Sequence, residues 1–138
     1  MKEVVRQLIQ RCDSSDPFQI ADCLGIHTLF CDIGTIRGFY TKKRREQFIV
    51  ISTRIELFRQ RVVCAHELGH AILHPDLCTP FYTEHTWLSS DKFEYQANLF
   101  ATELILSSFS PEELEGFGVE QIAILTGLPV RYLLDVVE

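Results

Sequence analysis

TRIELFRQRVVCAHELGHAILHP, residues 53–75, is the stretch on which the reading of this chain turns. Val62, Val63, Ala65, Leu68, Ala71 and Ile72 recur at helical spacing, and Pro75 ends the run by clashing with the carbonyl four residues back. Thr53 and Glu56 have the spacing of a capping box, which predicts a long buried helix opening at Thr53. Inside it, His66-Glu67-Leu68-Gly69-His70 sets two imidazoles four residues apart on one face, with Cβ atoms about 5–6 Å apart. Gly69 costs that helix about 1 kcal/mol relative to alanine, so a close packing contact, or room beside the histidines, must explain it. Cys64 points away from the histidine face and reads as a core residue.

Histidines so spaced can both reach one zinc ion, at about 2.0–2.1 Å each. Glu67 projects about 100° round the helix from His66, a direction that suits a base facing a water on the metal better than a ligand. Two histidines hold zinc weakly; catalytic sites use three protein ligands and an open position. The next helix, predicted over 91–103, carries Glu94, which can approach from outside the first helix and close a tetrahedron. The alternative use of Glu94 is a capping box with Asp91. Asn98, one turn on, can accept the outer N–H of a ligating histidine. Glu103 lies half a turn round from Glu94 and reads as solvated or paired. His74 continues the histidine row by a turn; three ligands in one row cannot surround an ion, so it reads as a neighbour of the ligands or a surface residue. Tyr82, His85 and Tyr95 are candidate donors to an oxyanion. Two histidines and a carboxylate also suit ferrous iron, but a base beside the first histidine favours zinc, one ion per chain.

The 138 residues predict a single domain, 1–138, large enough to bury a core. With 46% apolar and 23% charged residues the composition is that of an ordinary globular protein. A net charge of −6 disfavours broad binding to nucleic acid or anionic membrane. No window is long enough for a membrane helix, and the N-terminus lacks the apolar run of a signal peptide. Cys12, Cys23, Cys31, Cys64 and Cys78 are odd in number and form no C-x-x-C pair, which predicts free thiols in a reducing cytoplasm.

Helices are expected over 3–12 and, capped by Asp16 with Pro17 at its first position, up to Gly25. Strands are expected over 26–33, 36–40 and 47–52; Phe48-Ile49-Val50-Ile51 is apolar on both faces and should be covered on both. Lys42, Lys43, Arg44 and Arg45 read as a solvated hairpin tip rather than a nucleic-acid patch. The connection 76–90 is long enough to form a wall of the cleft. Residues 121–134 have the outline of a helix-turn-helix, but the second helix offers a DNA groove only Arg131 and Tyr132 before Leu133, Leu134 and Asp135. It reads as a packing hairpin.

HELGHAILH followed by EYQANLFATELI resembles the ImmA/IrrE family of zinc metallopeptidases, with FQIADCLGI, RGFY and FIVIS agreeing around them. The likeness covers roughly residues 16–138. It implies a small zincin-like α+β domain: a short three-stranded antiparallel sheet packed on the long helix and on a second ligand-bearing helix, with helical termini. It implies zinc held by His66, His70 and Glu94, with Glu67 as general base. It also implies an anti-repressor: an endopeptidase that cuts or inactivates a helix-turn-helix repressor of mobile-element, phage or stress genes. The alternatives are a catalytically silent zinc protein that sequesters its repressor, and a DNA-binding regulator using the C-terminal hairpin.

Overall fold

The computed structural model describes residues 1–77 and 87–137. Its elements are α1 (Lys2–Cys12), α2 (Pro17–Cys23), β1 (His27–Cys31), β2 (Gly38–Lys43), β3 (Glu46–Ser52) and α3 (Leu57–Leu73). They continue with α4 (Trp87–Ser107), α5 (Pro111–Leu114), α6 (Val119–Thr126) and α7 (Val130–Val137). The α+β reading holds. Asp16 caps α2 by accepting from the Phe18 amide at 3.0 Å, with Pro17 at the first position.

The sheet has three strands but is mixed rather than antiparallel. Its order is β1-β3-β2, with β1 parallel and β2 antiparallel to β3. The expected pairing assumed that consecutive strands lie side by side. Burial decides otherwise. Ile49, Val50 and Ile51 are all buried, so β3 takes the central place covered on both faces, while β2 ends in Thr41-Lys42-Lys43 and goes to an edge. Two reversals of the chain, at 32–37 and at Arg44-Arg45, then leave β1 and β3 running the same way. Arg44 and Arg45 both have positive φ, 51° and 69°, the condition for a tight turn matching the strand twist, and they form the solvated tip.

α3 crosses the sheet with Cys64, Leu68 and Ala71 in the core alongside Ile49 and Ile51. Two side-chain amides tie it to β3: Gln47 Nε2 donates to the Ala71 carbonyl and Gln60 Nε2 to the Ser52 carbonyl, each at 3.1 Å. β2 lies hard against α3. A Cβ on Gly38 would sit 2.5 Å from Val63 Cγ1 and 2.8 Å from the Val50 carbonyl, so only glycine permits the approach. α4 packs on the other side of α3, where a Cβ on Gly69 would meet Ala97 Cα and O at 3.2 Å and Phe100 Cδ1 at 3.1 Å. The packing explanation for Gly69 is the one realised. α1 and α7 pack on α4, and α2 packs on α3 and β1.

Three local expectations are corrected. α3 opens at Leu57 with Glu56 as its N-cap and no side-chain cap, so Thr53 and Glu56 do not form a capping box. Ser52 supplies the local partner instead, its hydroxyl accepting from the Arg54 amide at 3.0 Å and holding 53–55 as a turn. α4 opens at Trp87, so Asp91 and Glu94 lie within the helix and not at its N-cap. Cys12 and Cys23 are joined by a disulfide, Cα atoms 5.8 Å apart, where free thiols were expected. Packing of the two short helices brings their last residues together, which an eleven-residue spacing does not announce. Cys31 and Cys64 are free; Cys78 lies outside the described residues.

Candidate metal centre

α3 presents His66 and His70 on one flank, their rings edge to face with centroids 4.9 Å apart. α4 brings Glu94 onto both. Glu94 Oε2 lies 2.9 Å from His66 Nε2 and Oε1 lies 2.8 Å from His70 Nε2. The carboxylate thus sits on the two nitrogens that face out from the helix, where a cation could take the place of the protons between them. Glu67 is buried, and a carboxylate oxygen of it lies within 4.8 Å of a nitrogen of each histidine. His66, Glu67 and His70 therefore form one group of potential metal donors, with Glu94 closing on the histidines from the second helix. Of the two carboxylates, Glu94 lies at hydrogen-bond distance from both Nε2 atoms.

Each histidine has its other nitrogen engaged. His66 Nδ1 is 2.9 Å from Asn98 Oδ1, and Asn98 Nδ2 donates to the Tyr132 hydroxyl at 3.0 Å. His70 Nδ1 is 3.2 Å from His74 Nδ1, and His74 Nε2 is 2.7 Å from Gln96 Oε1. His74 is buried at 7% exposure, so it is a neighbour of the histidine pair and not a surface residue. Such outer partners are what metal-ligating histidines generally have.

The electrostatics of the three groups are linked. Burial alone would lower the His66 pKa, but the hydrogen bond to Glu94 and the charges of Glu67 and Glu94 outweigh it and raise the value to about 9. For His70, burial wins and the pKa is lowered, with the charge on His66 adding to the effect. Glu94 is pulled upward by burial, yet its hydrogen bonds to both histidines hold it well below the usual carboxylate range. Without metal the cluster is thus an anionic carboxylate clamped between one charged and one neutral imidazole. Two neutral-capable imidazoles and two carboxylates are a donor set that fits zinc.

Other candidates fall elsewhere. Glu103 is buried, half a turn round α4 from Glu94, and burial raises its pKa against the charges of Lys2 and the N-terminus. Tyr95 donates its hydroxyl to Asp135 on α7 at 2.6 Å. Tyr82 and His85 lie outside the described residues. Tyr132 and Gln96 were not anticipated at the site. Gln96 gave no signal in the sequence, and Tyr132 stood out only as a residue the C-terminal hairpin could offer a DNA groove. A groove of about 760 Å³ between α2, β1 and the start of α3 is not this site. Its Arg61 lies nine residues before His70, about 180° round the helix.

Residues 21–116 match the family model described as the IrrE N-terminal-like domain. The chain is 36% identical over 134 residues to the uncharacterized immunity region protein 2 of Bacillus phage phi105, covering 95% of this chain and 85% of that protein. It is 33% identical over 133 residues to the metallopeptidase ImmA of Bacillus subtilis (strain 168), covering 94% of this chain and 79% of the relative. With its two-histidine flank closed by a carboxylate from a second helix, the chain belongs to the ImmA/IrrE family of metallopeptidases.

Proposed function

We propose that this chain is a zinc-dependent endopeptidase that inactivates a helix-turn-helix transcriptional repressor by cutting it. The observation that carries the reading is the convergence of His66 Nε2, His70 Nε2 and the Glu94 carboxylate, with Glu67 within reach of the same point. His66, His70 and Glu94 are the three ligands. Bound zinc supplies Lewis acidity, lowering the pKa of water to about 7 and polarising the scissile carbonyl. Glu67, buried beside the ligands, takes the proton from the attacking water and delivers it to the leaving amine. The substrate lies extended along β2. That strand is an edge of the sheet, and it touches α3 at Val63, one turn before His66, so added main chain would run past the histidines.

The repressor as substrate is drawn from the family resemblance and from the phage relative's designation as an immunity-region protein. Direct reading of DNA by the C-terminal hairpin finds little support. The Tyr132 hydroxyl is engaged by Asn98, and the Arg131 guanidinium lies 5.4 Å from the ring centres of both Tyr95 and Tyr132. No described helix is long and apolar enough to cross a membrane. A repressor substrate puts the encounter in the cytoplasm, where the Cys12–Cys23 bond is open to reduction.

The test is co-expression with helix-turn-helix repressors from the same genome, followed by mass spectrometry for new termini. Glu67→Gln should keep zinc and fold yet leave the repressor intact. Relief of repression by Glu67→Gln, with the repressor uncut, would replace cleavage with sequestration.

A further inference from the structure

The C-terminal helix, beyond the residues matched by the family model, reaches back into the metal centre. We propose that Tyr132 is a positioning residue of that centre: by tying down the Asn98 amide, it keeps Asn98 Oδ1 in place to accept from His66 Nδ1–H and so fixes the ring whose Nε2 faces the metal site. The proposal rests on the reading of His66 as a ligand.

The geometry supplies each step. A metal can take His66 Nε2 only if the remaining proton sits on Nδ1, and that proton needs an acceptor. Asn98 Oδ1, 2.9 Å away, is one. The Nδ1 proton itself selects the oxygen end of the amide. On its far side Asn98 Nδ2 donates to the Tyr132 oxygen at 3.0 Å, which ties the amide to α7 with Oδ1 toward His66.

Tyr132 is itself held. Its ring packs against Tyr95 with centroids 5.7 Å apart, and the Arg131 guanidinium lies 5.4 Å from the centre of each ring. Tyr95 in turn donates to Asp135 one turn along α7. Leu133 beside it is fully buried, which fixes the helix on the core. Thr102 donates to the Asn98 carbonyl at 2.7 Å, which anchors the backbone of α4 but leaves the side-chain amide free to turn. Tyr132 is therefore a firmly held partner of the Asn98 amide on the side away from His66.

The experiment is a double-mutant cycle read by zinc affinity. Wild type, Tyr132→Phe, Asn98→Ala and the double variant are titrated with zinc against a chromophoric chelator. The imidazole 15N spectrum of each metal-free protein reports the hydrogen bond made by His66 Nδ1–H. Loss of an outer partner costs about 10–100-fold in metal affinity, so Asn98→Ala should fall in that range and Tyr132→Phe near its lower end. The double variant should bind no more weakly than Asn98→Ala alone, because Tyr132 acts only through Asn98. The spectrum of Tyr132→Phe should show the His66 Nδ1–H bond weakened or lost. Unchanged affinity in Tyr132→Phe, or a loss that adds in full to that of Asn98→Ala, overturns the proposal. Absence of zinc binding by wild type defeats the metal reading instead. The metal-free spectra then still decide: a His66 Nδ1–H signal identical in wild type and Tyr132→Phe overturns the positioning role, and its loss upholds it.

Discussion

Gly69→Ala is the substitution that most directly probes how the helices carrying His66, His70 and Glu94 are held together. The new methyl would lie 3.1 Å from Phe100 Cδ1 and 3.2 Å from both Cα and O of Ala97. Carbon pairs prefer about 3.5–4.0 Å, so α4 must retreat by a few tenths of an ångström. Phe100 can tilt, but the Ala97 atoms are backbone and cannot rotate away. Glu94 sits three residues before Ala97, about 4.5 Å along the same helix, and moves with it. Metal sites tolerate distance errors of about 0.2 Å, so the retreat matters more at the ligands than in the core. Overpacking costs about 1–3 kcal/mol, against about 1 kcal/mol gained from alanine's helix propensity. The metal-free variant should therefore lie between neutral and about 2 kcal/mol less stable in urea melts. If about 1.4 kcal/mol of the strain is felt in the closed, metal-bound geometry, zinc affinity drops about tenfold. A Gly69→Ala protein that gains the full helix increment, about 1 kcal/mol, and binds zinc as wild type does would refute the claim that this contact sets the site.

Glu94→Ala should weaken zinc binding strongly in a chelator competition while Glu103→Ala leaves it unchanged; equal affinities would mean the third ligand lies elsewhere. Zinc titrated into weakly buffered protein at pH 7 should release about one proton from His66, whose pKa is raised to about 9, and the release should fade as pH passes that value. The same raised pKa makes the His66–Glu94 pair stabilise the metal-free fold fully below about pH 6.5, with the benefit lost as pH rises through about 9; a metal-free melting profile flat across that window would contradict it. Burial raises the Glu103 pKa, so its favourable contribution is present below 4.5 and disappears as pH rises through the folded value. Glu103→Gln should accordingly melt higher than wild type at pH 7 and lose that advantage in acid, and a lower melting temperature at pH 7 would show that the charges of Lys2 and the N-terminus dominate instead.

Much of the site could be read along the chain because helical geometry is local. His66, Glu67 and His70 sit where a period of about 3.6 residues puts them, whatever surrounds them. Elements whose limits depend on partners were less legible. Thr53 and Glu56 had the spacing of a cap, but the turn held by Ser52 delays α3 to Leu57. Asp91 and Glu94 had the same spacing, and the helix simply starts earlier. Strand existence was plain from β-branched and aromatic runs, whereas strand order was not, since it depends on which strand gains most from being covered on both faces. The disulfide between Cys12 and Cys23 and the hydrogen bond from Asn98 to Tyr132 join residues 11 and 34 apart through packing alone.

By itself the sequence determined the two-histidine flank, the adjacent Glu67 and the helical carriers of the site, because residues within two turns of a helix fix one another's directions. Only the tertiary structure decided that β3 lies at the centre of a mixed sheet, that Glu94 closes on both Nε2 atoms, and that the C-terminal helix reaches the His66 partner. Those outcomes depend on how closely α3 and α4 approach, and that distance is set by a missing methyl at Gly69 facing a backbone 28 residues further along the chain.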